Sequence, residues 1–398
     1  MRLSSMSALF GRCVKANEAS APPFLLDCSL SLINRTGAHY IAQELAMELA
    51  DIVTVRRWRL LGSPLPDGIL RKVCGRLMLR ELRHLSARAV WRWPDPAIAG
   101  LRRVFLDPLY VLRSRLARGD VVLCHDIGPV SHPALYDRET TRMYTAAYER
   151  IRAVGPGMVF VSHASESAFS AHFGTRYRFS RVIPLYVREG AHVGPVAPVE
   201  GVCTPFFLTV GALEKRKNQL AAIRGFSASG LHAQGYGYVL CGAKGSGGDE
   251  VLALAARTPG VRVLGYVDDA QLRFLYRGAT AFVLPSLLEG FGMPALEAAQ
   301  FGLLPILSED SALSEAVGGA CIAVDAHDAA GIGDAMRTAV TLGTPARRRM
   351  QRALKHHATI ASRARFVDAW RELMNSECRL GSGVVHPLRV ERLEEHSR

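Results

Sequence analysis

Two glutamates separated by seven residues, Glu289 and Glu297, bracket a glycine turn in Pro285-Ser286-Leu287-Leu288-Glu289-Gly290-Phe291-Gly292-Met293-Pro294-Ala295-Leu296-Glu297. The first falls in a loop after an apolar run, the second about one turn into a helix. A helix start presents free N–H groups and the positive end of a dipole, which suit a phosphate or the polar rim of a nucleotide. A carboxylate there can accept hydrogen bonds from two vicinal hydroxyls, as on a ribose. Alone, the pair would equally fit a solvated loop acid and a partner for the helix dipole. Upstream, Val210-Gly211-Ala212-Leu213-Glu214-Lys215-Arg216-Lys217-Asn218 leads from a strand end through glycine into a cationic loop. Glycine lets the backbone approach a ligand, and Arg216 and Lys217 can neutralise a diphosphate. Together the segments point to an anionic ligand more specifically than either does alone.

Such loops need a scaffold that brings them to one edge. Apolar runs at 206–210, 238–241, 261–264, 281–284 and 304–307 alternate with helical stretches from Asn218, over 270–276 and over 294–300. Repeated strand-then-helix units imply a parallel sheet, because parallel strands need a helical crossover. Upstream the alternation is weaker: strands at 24–28, 53–55, 121–124 and 158–161, with a helix over 37–49. The expected fold is α/β, two Rossmann-like doubly wound domains facing across a cleft. Ligands in such sheets lie beyond the carboxyl ends of the strands, at Gly37, His125, Ser162, Gly211, Gly242, Gly265 and 286–294.

At 398 residues the chain can bury two cores, and no window approaches the roughly 18 apolar residues of a membrane span. Arg12 and Lys15 interrupt the N-terminal apolar patch, and the eight cysteines are scattered, without metal-ligand spacing, so a reduced cytoplasmic chain is expected. The net charge of +13 is concentrated between Asp51 and Asp120, where fifteen Lys or Arg stand against six acids. This stretch reads as amphipathic helical segments. Interleaved Trp58, Leu77, Met78, Leu79, Trp91 and Trp93 suit anionic lipid headgroups or a lipid-diphosphate acceptor, or else a solvated basic face. No nucleic-acid recognition motif accompanies the charge, and no G-x-G-x-x-G follows the first strand. Asp268-Asp269 reads as a helix cap, and no D-x-D motif is placed to hold a metal.

VGALEKRKNQL, VRVLGYVDDAQLRFLYRGATAFVLPSLLEGFGMPALEAAQFGLLPIL and the spaced Glu289/Glu297 pair occur in that order. Here the sequence resembles the family-4 retaining glycosyltransferases of the GT-B fold, especially the bacterial polysaccharide and O-antigen mannosyltransferase branch. The resemblance is strongest over 206–324. It implies that Glu297 holds the donor ribose, that Glu289 lies near the transferred sugar and that Arg216 and Lys217 hold the diphosphate beside Gly211. It implies base contacts through the backbone of Gly265, Tyr266 and Val267, and N–H groups offered by Phe291, Gly292 and Met293. VVLCHDIGPVSHP resembles the family's histidine-aspartate segment, which gives His125 a catalytic role and places Asp126 on the acceptor side. Gly37, in an Asn34-Arg35-Thr36-Gly37 loop shorter than the family signature, becomes a phosphate or acceptor contact.

Ala212 stands where many members have arginine, so one phosphate contact must come from elsewhere or be absent; Lys215 stands where proline is common. The implied activity is metal-independent, cofactor-free, retaining transfer of a hexose to a lipid-linked or polysaccharide acceptor. The favoured donor is GDP-mannose over a UDP-hexose, and the expected place is the cytoplasm or the inner membrane face. A GT-B epimerase or phosphorylase, or a silent sugar-nucleotide-binding scaffold, would share the cleft. The expected division is an acceptor-side domain over 1–190, a linker at 191–205 and a donor domain over 206–360. A returning C-terminal helix at 361–378 and a polar tail at 379–398 complete it.

Overall fold

The structure, a computed structural model, describes residues 24–33, 37–58, 60–61, 68–87, 101–187, 192–309 and 311–381. Phe24–Asp27 (β1), Val53–Arg57 (β2), Leu60–Leu61 (β3), Arg102–Phe105 (β4), Val121–Cys124 (β5), Gly157–Phe160 (β6) and Phe179–Val182 (β7) form one sheet. Its order is β3-β2-β1-β4-β5-β6-β7, parallel except for β3. Phe206–Val210 (β8), Gly237–Cys241 (β9), Val261–Leu264 (β10), Ala279–Leu284 (β11), Pro305–Ser308 (β12) and Ile322–Val324 (β13) form a second sheet. Its order is β10-β9-β8-β11-β12-β13, parallel throughout.

Gly37–Glu48 (α1), Ile69–Ala87 (α2), Gly128–Ser131 (α3), Arg138–Val154 (α4) and His163–Phe173 (α5) accompany the first sheet. Gln219–Ser229 (α6), Gly248–Ala256 (α7), Asp269–Gly278 (α8), Met293–Gln300 (α9), Ala312–Ala316 (α10), Ala329–Thr341 (α11) and Thr344–Ile360 (α12) follow in the second half, and Arg363–Gly381 (α13) ends the described chain. The expected two-sheet α/β architecture is therefore present. Its central strands β1, β5, β6, β8, β9 and β11 are mostly apolar and buried because helices cover both faces of a parallel sheet. In β8, Phe206, Phe207 and Leu208 are fully buried, and the one polar side chain, Thr209, is within hydrogen-bond distance of the Tyr238 hydroxyl at 2.7 Å. Asp268 forms a capping box with Gln271 at the start of α8, as the adjacent aspartates suggest.

The basic stretch departs from the expected run of helices. Helix α2 is followed by β4, which inserts between β1 and β5 at the centre of the first sheet. The arginines that disguise it are neutralised by carboxylates outside the strand. Arg103 Nη2 pairs with Asp120 Oδ2 at 3.2 Å, and Arg102 Nη1 with Glu377 Oε2 at 3.4 Å. Residues 59, 62–67 and 88–100, Trp91 and Trp93 among them, lie outside the described residues, as do 1–23, 34–36 and 382–398.

Helix α13 ties the two halves together. Arg363 pairs with Glu44 and Glu48 of α1, and Arg371 with Asp51 at 2.7 Å. Trp370 is fully buried, with Phe366 beside it and Tyr186 5.1 Å from Phe366. Glu377, 2% exposed, receives Arg102 and Arg178. Removing its charge strands two partly sheltered guanidinium groups. Glu377→Gln is expected to lower unfolding free energy by about 3 kcal/mol, read by urea denaturation; an unchanged midpoint would show that the arginines find other partners.

Candidate functional site

The site is assembled by short loops at the carboxyl ends of β8 and β11. Gly211 follows β8 with φ 137°, and a Cβ there would stand 3.1 Å from Lys217 Cε, so the glycine lets the lysine side chain pass across the strand end. Residues Lys215–Lys217 make a single 3-10 turn, after which Asn218 takes a left-handed conformation, φ 57°. That uncommon conformation is fixed by its side-chain amide, which donates to the carbonyls of Pro285 at 3.1 Å and Ala326 at 2.6 Å. The Leu287 amide donates to the Arg216 carbonyl at 2.8 Å. The β8 loop is thus bound to the β11 loop before any charged side chain is considered.

Glu289 is the charged centre of this joint. Its Oε1 accepts from Lys217 Nζ at 2.7 Å and its Oε2 from Arg216 Nη1 at 2.8 Å; Ser286 Oγ adds a bond of 3.2 Å. Arg216 Nε also meets Glu214 Oε2 at 2.7 Å. The Glu289 and Lys217 side chains are 8% and 7% exposed. Burial opposes ionisation of Glu289, but the neighbouring Lys217 and Arg216 overcome it and hold the carboxyl down at about 2. Burial likewise works against the Arg216 cation, and Glu289 and Glu214 reverse it, raising its pKa.

Glu297 lies in a different setting. The buried Tyr276 hydroxyl donates to its Oε2 at 2.8 Å, and the Tyr276 ring stacks on Phe301 at 5.0 Å. Burial, then the charge of Glu297, pushes the Tyr276 phenol well up, so it serves as a neutral donor. Cys241, which also acts on Tyr276, leads to the end of β10, its thiol 3.8 Å from the Gly265 carbonyl. There the space beside Gly265 is open, Tyr266 is 91% exposed and Val267 half-buried. Before α9, Phe291 is buried in the core, and Gly292 is left-handed at φ 97°, delivering Met293 as the first helical residue.

The first sheet meets this edge directly. The Gly290 carbonyl accepts from Ser162 Oγ at 2.7 Å and from Ser165 Oγ at 3.0 Å, and a Cβ on Gly290 would lie 2.2 Å from the His125 carbonyl. A Cβ on Gly128 would likewise fall 2.2 Å from Leu288 Cδ2 and 2.3 Å from the Tyr136 hydroxyl. Glu315, of α10, accepts from the amides of His163 at 2.8 Å and Ala164 at 3.2 Å, covering the start of α5. His125 Nε2 is 3.1 Å from the Leu106 carbonyl, and Asp126 Oδ1 accepts from the Gly128 amide at 2.7 Å. Burial raises the Asp126 pKa, against the Gly128 bond.

Gly211, Arg216, Lys217 and Glu289 thus converge, with His125 and Asp126 brought against them across Gly290. Glu297 and the 265–267 turn share the same sheet edge. Gly37 opens α1, and residues 34–36 before it lie outside the described residues. Sequence reasoning did not single out Asp107, Tyr136, Ser165 or Glu315. Buried Asp107 ends the disguised strand β4, accepts from Tyr144 at 3.1 Å and is influenced by His125. Its signal was the Phe-Leu-Asp-Pro segment, legible only once β4 is recognised. Tyr136 carries no local signal.

Two outcomes are expected of this geometry. Because Glu289 is more acidic folded than the ordinary value of 4.5, its stabilisation is complete above that value and is lost as pH falls toward about 2. Wild type should lose about 3 kcal/mol more than Glu289→Gln between pH 5 and 2 in denaturant titrations; parallel profiles would remove the ion triad. Gly290→Ala forces the seam apart and should reduce stability by about 1–3 kcal/mol in thermal unfolding, whereas Ala at the open Gly265 should not.

Residues 201–357 match the family described as Glycosyl transferases group 1. The chain is 28% identical over 240 residues to O-antigen chain mannosyltransferase B of Escherichia coli, covering 56% of this chain and 62% of that protein. It is 29% identical over 204 residues to the serotype-specific mannosyltransferase WbdA of Escherichia coli, covering 48% of this chain and 24% of that one. The match spans less than two thirds of either relative. Among solved structures, sucrose-phosphate synthase from Thermosynechococcus elongatus aligns with a TM-score of 0.62 at 16% identity, over 90% of this chain and 100% of that chain. A trehalose-phosphate synthase from Burkholderia vietnamiensis aligns at 0.58 and 13% identity, over 89% and 98%. Likeness at that identity concerns the fold, and the two-sheet GT-B architecture is common to them. The loops that gather Arg216, Lys217, Glu289 and Glu297 therefore belong to a group 1 glycosyl transferase domain, homologous to O-antigen mannosyltransferases of Escherichia coli.

Proposed function

We propose that this chain transfers a hexose, mannose before others, from a nucleoside-diphosphate sugar to a lipid-linked or polysaccharide acceptor in O-antigen, capsule or exopolysaccharide assembly. The observation that carries the reading is the convergence of Arg216 and Lys217 on the loop bearing Glu289, with Glu297 on the following helix. Breaking a glycosidic bond to a nucleotide leaves a diphosphate whose growing charge needs fixed cations, and Arg216, Lys217 and the start of α9 answer that need without a metal. Glu297, oriented by Tyr276, is assigned the ribose hydroxyls, and the open turn at Gly265 the base. His125 and Asp126 face the reacting centre from the acceptor side. Retention follows the family resemblance: the acceptor attacks from the face the leaving phosphate vacates, and that phosphate takes the acceptor proton. The names of the O-antigen relatives support mannose as the transferred sugar, and GDP as its carrier follows the family resemblance.

Helix α2 supports a membrane-facing acceptor. Ile69, Leu70, Val73 and Leu77 form one exposed stripe, the first 83% exposed, beside exposed Lys72, Arg76 and Arg83. Such a face lies against anionic headgroups with its apolar side chains dipped into the acyl boundary. Among the described residues no helix is long and apolar enough to cross a membrane.

GDP-mannose at a hundredfold excess over its dissociation constant should stabilise the protein by about 2.7 kcal/mol. Thermal melts against GDP- and UDP-sugars, repeated with Lys217→Ala and Glu297→Ala, check this. A shift lost in both variants fits the reading, and no shift with any sugar nucleotide refutes it. Leu70→Glu with Leu77→Glu should abolish co-sedimentation with phosphatidylglycerol vesicles; binding that survives would discard the α2 surface.

A further inference from the structure

The cations assigned to the diphosphate already hold a carboxylate on each side. Glu289 gives one oxygen to Lys217 and the other to Arg216, and Glu214 takes Arg216 Nε. Two acids therefore balance two bases, and these four side chains together carry no net charge. Asp126 adds a further acidic neighbour to Arg216 from the opposite sheet. A phosphate oxygen placed on Lys217 Nζ or Arg216 Nη1 would come close to the Glu289 carboxylate, like charge against like. Glu289 reaches the cations from the loop after β11, whereas Glu214 lies on the same loop as Arg216 and meets it at a different nitrogen.

We propose that Glu289 competes with the donor for Arg216 and Lys217: the incoming diphosphate displaces its carboxylate, and the carboxylate, on returning, helps expel the nucleoside diphosphate after transfer. The proposal rests on the reading of Arg216 and Lys217 as the diphosphate-holding pair. It gives Glu289 two positions in one cycle, bound to the cations when the nucleotide is absent and released toward the sugar when it is present. It also makes tight product binding the consequence of losing an acid, the reverse of what a carboxylate that merely orients the donor would do.

The probes are GDP and UDP, with affinity read by titration calorimetry on the full chain. Glu289→Gln, nearly isosteric, should tighten binding of the recognised nucleotide about tenfold, since hydrogen bonds between charged groups no longer have to be exchanged. Glu289→Ala repeats the test without an amide to hydrogen-bond, and circular dichroism confirms that each variant is folded. Lys217→Ala is the reference. If it weakens binding while both Glu289 variants tighten it, the competition holds. If it weakens binding while the Glu289 variants bind equally or more loosely, the competition is wrong and the diphosphate site stands. If Lys217→Ala leaves binding intact, or neither nucleotide binds wild type, the diphosphate reading fails and the competition with it.

Discussion

The bond from one buried carboxylate, Glu289, to two cations on another loop is the constraint from which the site takes its form. Glu289 would be costly alone: a carboxylate 8% exposed is driven toward its neutral form unless an opposite charge stands beside it. The pairing keeps Glu289 ionised and holds the loops after β8 and β11 at fixed separation. Asn218 completes the joint with neutral bonds, taking a left-handed backbone to reach the Pro285 and Ala326 carbonyls at once. The arrangement therefore has a part that cannot change charge and a part that exchanges partners.

Contact between the sheets is made by backbone more than by side chains. Gly290 and Gly128 lie where any Cβ would strike the opposing domain, and Ser162 and Ser165 both bond the Gly290 carbonyl. Glu315 covers the start of α5, where the helix dipole favours negative charge, so the second sheet also supplies an anion to the first. At the far end α13 returns to the first sheet through the buried Glu377 and the Arg363 and Arg371 pairs. The two halves are thus tied by polar contacts at both ends, with Trp370 and its apolar neighbours between.

The second sheet was legible at β8, β9, β11 and β12, whose largely apolar runs are buried, and at β10 in spite of Arg262, with Gly211, Gly242 and Gly265 after β8, β9 and β10; β13, three residues long, was not read. The first sheet was legible at β1, β5 and β6 for the same reason. It was legible in part at β2 and failed at β3, β7 and β4, the last because Arg102 and Arg103 enter a central strand only when Glu377 and Asp120 answer them, and Glu377 stands far off in the sequence. The site divided similarly. Loop position announced Arg216, Lys217, Glu289 and Glu297. Nothing in their spacing announced that Glu289 would bind the two cations, and Tyr136 and Glu315 reach the cleft only through packing.

The seven-residue interval between the glutamates acquires a physical meaning from their partners. Glu289 stands in the loop before α9 and is held by charge. Glu297 stands inside α9 and is held by the hydroxyl of Tyr276, itself fixed by stacking on Phe301. A bond between two ions is strong but yields to a stronger anion; the clamped Tyr276 phenol, itself uncharged, offers an incoming anion no cation to take. One acid is thus suited to the part of a ligand that changes charge during reaction, the other to a part that does not. The interval is long enough to place one glutamate in the loop and the other on the helix, so two identical side chains are held through different physics.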